Sequence, residues 1–211
     1  MSSPPQLIGY FPKRKVRADG LLPGAPSPSL PGAPVVEELC SVSDCVAPGP
    51  DGWRERQIHN VHELFDTRKL AWSVVPRRER PEFEMFAYRL YPVQFIDGRR
   101  KAWVPIWDLA VEPLPRSFVR LGWDAVVGGD GHGLGCSPLS CNYQAGLPGI
   151  PAVNRHCLMP SERQGLQLAR LFSKTKPEPG PYCVVEVWRE PPAPARKGKQ
   201  AARRTSAKSR P

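Results

Sequence analysis

Residues 182–188 read Tyr-Cys-Val-Val-Glu-Val-Trp, and five of these seven are β-branched or aromatic. Such residues fit a pleated, half-buried surface, so the segment reads as a strand. A helix stands just before it. Ser161 and Gln164 have capping-box spacing, in which hydroxyl and amide satisfy backbone donors at a helix start. Leu166, Ala169 and Phe172 then recur with helical period. Lys174 and Lys176 suit the negative end of the helix dipole, and Pro177 stops the helix.

Working back from this pair, Val153–Met159 reads as a short strand and Phe118–Val127 as a strand ending in the buried run Trp123-Asp124-Ala125-Val126-Val127. Phe83–Phe95 is an aromatic-rich strand that Pro92 interrupts. Asp97-Gly98 marks a turn, and Ala102–Val111 is expected to return, with Pro105 placing it at an edge or bulge. Trp53, Ile58, Val61, Leu64 and Phe65 recur at helical spacing, which predicts a helix over 51–70 with Asp51 as N-cap. Leu7–Phe11 fits a short edge strand. Strands followed by a closing helix and strand indicate an α+β fold. The expectation is one loop-rich domain with a mixed or antiparallel sheet and two main helices. No internal repeat is visible.

The chain has 211 residues, 27 prolines, six cysteines and a formal charge of +10. The charge is not spread evenly. Residues 36–190 carry equal numbers of acids and bases, 19 of each, so the excess sits in a Pro/Gly-rich segment, 1–35, and a tail, 191–211. The tail has no apolar residue larger than alanine and cannot bury a face, so it is expected to be a disordered basic end. Its Arg196, Lys197, Lys199, Arg203, Arg204, Lys208 and Arg210 suit loose contact with nucleic acid or an acidic protein. No run of eighteen apolar residues exists, which excludes a spanning helix, and the N-terminus lacks a signal-peptide pattern. The globular body, 36–190, is expected in the cytoplasm.

The most unusual stretch is Gly-Gly-Asp-Gly-His-Gly-Leu-Gly-Cys-Ser-Pro-Leu-Ser-Cys-Asn at 128–142. Glycines let backbone approach a ligand closely. A small polar ligand held by Gly129, Gly131, His132, Gly133, Ser137, Ser140 and Asn142 is one reading. The stretch is no P-loop, because it lacks the Gly-Lys-Ser/Thr ending. Cys40/Cys45 and Cys136/Cys141 share one spacing, and two such pairs supply four thiolates, the number a tetrahedral zinc takes. The competing reading is that the thiols pack as small apolar groups. Thiol catalysis is a further alternative, with Cys136 or Cys141 as nucleophile, His132 or His156 as base and Asn142 orienting it. His59 and His62, three apart, read as helix surface or as a pair of metal ligands.

The order Arg89, Ser137, Glu186 resembles that of ADP-ribosyltransferase-like domains, as does Leu121-Gly122-Trp123-Asp124-Ala125-Val126-Val127. That resemblance implies an arginine that holds a nicotinamide dinucleotide, a serine that orders it and a late glutamate that stabilises an oxocarbenium-like transition state. Cys136-Ser137-Pro138-Leu139-Ser140-Cys141-Asn142 and Pro181–Trp188 are similar to segments of a group of bacterial proteins, a resemblance that brings no activity with it. The leading expectation is a binding or accessory protein centred on the Gly/Cys loop. The alternative is a nucleotide-using enzyme.

Overall fold

The computed structural model describes residues 4–17, 36–103, 109–128, 134–141, 145 and 147–192. Its elements are β1 (Gln6–Arg14), α1 (Arg68–Ser73), β2 (Phe83–Ile96), β3 (Arg99–Ala102), β4 (Val119–Val127), α2 (Pro138–Cys141), α3 (Glu162–Thr175) and β5 (Tyr182–Arg189). The strands form one antiparallel sheet in the order β1-β2-β5-β4, with β3 hairpinned onto β2. The chain is an α+β domain. β1 belongs fully to the sheet, so the body begins well before residue 36.

α3 follows the sequence reading. Ser161 caps it, accepting from Gln164 N–H and donating to Gln164 Oε1 at 2.6 Å. Gly165, Leu168, Ala169, Phe172 and Ser173 form its buried stripe. A Cβ at Gly165 would stand 3.0 Å from Trp123 Cβ, so the helix lies very close to the sheet. The long helix over 51–70 does not form. After a 3-10 turn at Arg54–Arg56, Gln57 adopts a positive φ. Asn60 Oδ1 then accepts from His62 N and Leu64 N, giving the backbone an alternative to helix. Ile58 and Val61, expected on the apolar stripe, are exposed. Only the short α1 follows, capped by Thr67. The return strand runs over Arg99–Ala102, earlier than expected, and residues 104–108 of the expected span lie outside the described residues. Where Pro92 removes a donor, the β2–β5 ladder shifts register between Leu90 and Gln94.

Val153–Met159 is a loop rather than a strand, and its asparagine repeats the hydrogen bonds of the 60–65 loop, where Asn60 Nδ2 donates to Asp66 as well. Asn154 Oδ1 accepts from His156 N and Leu158 N, as Asn60 does from His62 N and Leu64 N. Asn154 Nδ2 donates to Leu121 O at 2.7 Å and Asn60 Nδ2 to Ile8 O at 2.9 Å. Cys157 and Glu63 take φ of 59° and 58°. Met159 bridges Trp123 as Phe65 bridges Tyr10. Each loop leads to a capped helix and then to a central strand.

The fold is therefore an internal duplication, contrary to the expectation of no repeat. The strand registers make this quantitative. Gly9 pairs with Tyr88 and Gly122 with Val187, each just past a bulge. With these pairs equivalent, a Tyr88–Val187 pairing sets a two-fold axis between those two residues, and the axis then exchanges the flanking pairs Ala87–Trp188 and Arg89–Glu186. All three pairings occur. Such an axis keeps each half's helix on one face of the sheet. Segments 36–53 and 134–141 cover the other. The repeat is hidden in sequence because the halves share turn, cap and bulge residues while their strand side chains differ.

Candidate functional site

The site lies on the face opposite the helices. It starts from Lys13, whose side chain is 1 % exposed although it carries an ammonium group. The ammonium donates to Val42 O at 2.7 Å, Ala47 O at 2.9 Å and Asp44 Oδ1 at 3.0 Å, which uses all three N–H bonds. Burial lowers the pKa of Lys13, and Asp44 opposes that shift. β1 thereby fixes the segment that carries Cys45.

The Gly/Cys loop is fixed from the other half. It leaves β4 after Val127 and returns to it, with Gly135 N donating to Val127 O and Val127 N to Cys136 O. Ser137 Oγ donates to buried Asp124 at 2.7 Å, and Ser140 Oγ to Ser41 Oγ at 2.6 Å. Burial lifts the Asp124 carboxyl to about 6, against the lowering effect of the Ser137 hydroxyl and the Val42 and Ala125 backbone. Among the described residues the second oxygen of Asp124 has no partner, nor does the Tyr88 hydroxyl.

Between these two segments the sulfurs of Cys45, Cys136 and Cys141 lie within 4.8 Å of one another. Ser43 Oγ sits among them, 3.0 Å from Cys45 Sγ and 2.7 Å from Cys141 Sγ. Burial raises the pKa of Cys136 and of Cys141. A cavity of about 320 Å³ opens beside the cluster, lined among others by Cys45, Cys136, Lys13 and His62. His62 is buried, and its Nε2 has no partner among the described residues.

Cys40, expected as the fourth thiolate, is elsewhere. Its sulfur lies 4.0 Å from His156 Nδ1 in a group with Glu38. Arg155 Nε donates to His156 Nε2, which leaves Nδ1 as the protonated nitrogen, and it donates to Glu38 at 2.5 Å. Arg189 takes the other Glu38 oxygen at 2.8 Å. The His156 hydrogen bond, with Arg189, holds the Glu38 carboxyl at about 2. Here the ligand atoms serve each other and a guanidinium stands beside the sulfur, so this group is a structural knot. The Cys40 thiol is buried and its pKa is raised, and His156 is committed to Glu38, so neither supplies thiol catalysis at Cys136 or Cys141.

Arg89 and Glu186 do meet. Arg89 Nη1 donates to Glu186 Oε2 at 3.1 Å, Trp188 Nε1 donates to the same oxygen at 3.1 Å, and Tyr91 OH donates to Oε1. Ser137 is not with them. Glu186 pairs with Trp123, whose indole donates to Tyr91 on the helix face, whereas Ser137 bonds Asp124, the next residue, which points the other way. Successive strand residues face opposite sides, so the sheet separates the serine from the glutamate. The transferase-like trio has no common site.

Of the residues expected to hold a small ligand, Ser137 and Ser140 are buried and bonded to protein. Gly129, Gly131, His132, Gly133 and Asn142 lie outside the described residues, as do the seven tail cations. His59 and His62 stand in the 60–65 loop region and not on a helix. Sequence reasoning missed Ser43, Lys13 and Asp124. The Ser-x-Ser of residues 41–43, inside the first cysteine pair, was the available signal for the first. Compared with protein-family models, curated proteins and solved structures, the chain matches none of them.

Proposed function

We propose that the chain is a cytoplasmic binding protein whose Gly/Cys loop and 40–47 segment hold a thiophilic divalent cation, zinc, through Cys45, Cys136 and Cys141. The observation that carries this is the mutual approach of three sulfurs from two separately anchored segments. Zinc takes thiolates at about 2.3 Å in a tetrahedral set, and three thiolates leave one position for a small ligand entering from the cavity. Cys45 comes from the first half and Cys136 and Cys141 from the second, so the cation ties the two halves together. Thiols protonated at neutral pH must lose their protons to bind, so affinity rises with pH. The tail cations add loose, sequence-independent contact with nucleic acid.

The test is metal analysis of protein purified without chelator, followed by cobalt titration. Expected are one zinc per chain and thiolate-to-cobalt charge-transfer absorption that falls by about a third in C45S. Absence of metal together with a featureless cobalt titration would refute the reading.

A further inference from the structure

The body carries no net charge, yet one face of the fold collects four arginines. Several acids are paired elsewhere: Glu38 and Glu84 with Arg189, Glu79 and Glu82 with Arg14, Glu186 with Arg89. The four arginines surround a groove of about 860 Å³ between the β2–β3 hairpin and α3. Arg99, Arg100, Arg163 and Arg170 line it, with Glu162 as the one acid. Among the described residues, Arg99, Arg100 and Arg163 have no carboxylate in ion-pair reach, and the nearby Asp97 is taken by Lys176 at 2.8 Å.

The two walls are held at a fixed spacing. Gly98 N donates to Ser173 Oγ at 2.9 Å, and Arg170 Nε donates to Gly98 O at 3.0 Å. The Lys174 stem packs on Gly98, where a Cβ would stand 2.3 Å from Lys174 Cε. On α3, Arg163, Arg170 and Lys174 lie on the solvent side, opposite the buried stripe, along about 16 Å of helix. That length exceeds one phosphate and spans several nucleotides at about 3.4 Å of rise each. The groove is also where the duplication breaks. Among the described residues β3 has no counterpart in the second half, and α3 has fourteen residues against six in α1.

We propose that this face binds the phosphate backbone of duplex nucleic acid without reading its sequence. Phe95, the aromatic that lines the groove, is buried, so the face offers no platform for stacking unpaired bases. The site is distinct from the tail and from the thiolate cluster.

The experiment is fluorescence anisotropy of a labelled 20-base-pair duplex against the full chain at several salt concentrations. It compares wild type, R99S/R100S/R163S and a variant with all seven tail cations changed to serine. The three arginines are exposed, and unchanged thermal melting verifies the fold. Each lost phosphate contact lowers the salt slope by about 0.9. The triple variant is therefore expected to bind at least ten-fold more weakly, with a slope smaller by about two to three. The tail variant is expected to keep the arginine-dependent part. Unchanged affinity and slope in the triple variant, no duplex binding by wild type at 50 mM salt, or preference for a single strand over the duplex would each overturn the proposal.

Discussion

The ammonium of Lys13 lies 3.0 Å from Asp44 Oδ1, and Lys13 itself is 1 % exposed. This pair connects an edge strand to the segment that carries Cys45. Removing the cation strands two carbonyls, Val42 O and Ala47 O, while Asp44 keeps Arg54 on its other oxygen. K13M is expected to lower stability by about 2–4 kcal/mol, the cost of leaving two buried acceptors unsatisfied. Urea denaturation checks this. The same variant should weaken cobalt binding, because Cys45 loses its support; a stable K13M protein with unchanged cobalt affinity would show that the lysine positions nothing.

The Glu38–His156–Arg189 knot predicts acid sensitivity. The folded carboxyl sits at about 2, below its ordinary 4.5. A depressed folded value contributes stability that is present above 4.5 and lost as the pH falls toward 2. E38Q is expected to cost about 1.5–3 kcal/mol at pH 7, the range for hydrogen bonds to a charged group. The difference from wild type should shrink steadily below pH 4.5. A pH-independent difference would assign the loss to packing instead.

Asp124 predicts the opposite slope. Its folded value of about 6 lies above its ordinary 3.8. The stability it contributes is complete below 3.8 and is lost as the pH rises through 6. Asparagine keeps an oxygen for the Ser137 hydroxyl and carries no charge. D124N is expected to gain on wild type by on the order of 2–3 kcal/mol between pH 4 and pH 8. Equal shifts at both pH values would mean that the carboxylate is not paying a burial cost.

Strands β1, β2, β4 and β5 and helix α3 were legible because local signals and tertiary burial agree there. At α3, cap, stripe and terminating proline all point one way, and the sheet accepts the stripe. At 51–70 the same period misled, because Trp53 and Phe65 bury singly around Phe11 while Ile58 and Val61 stay exposed. Asn60 decided that segment, and a side chain that bonds two backbone amides leaves no periodic trace. The cysteine pairs were legible as a spacing. Their partition was not, since Cys40 is drawn into a group with Glu38 by His156 and Arg189, residues distant in sequence. The basic face was hidden for a related reason: composition sums over the body, whereas ion pairing removes acids from particular places.

The duplication makes a matched prediction about Gly9 and Gly122. Their φ values are 149° and 156°, which L side chains rarely adopt. A Cβ at Gly9 would stand 2.6 Å from Leu64 Cβ, and one at Gly122 would stand 2.8 Å from Leu158 Cβ and 2.7 Å from Met159 O. Leu64 and Leu158 occupy equivalent places in the two loops, so one steric reason acts twice. G9A and G122A are each expected to cost about 2–4 kcal/mol from strain and overpacking together. Gly149 provides the contrast. Its φ is 84°, but a Cβ there meets nothing within 4 Å, so G149A should cost only about 1–2 kcal/mol of backbone strain. Urea denaturation of the three variants separates the terms. Near-equal losses at Gly9 and Gly122, both well above that at Gly149, are expected from two equivalent loop–bulge contacts. A neutral G9A beside a damaging G122A would mean that the first half tolerates opening of its loop and that the halves are alike in outline only.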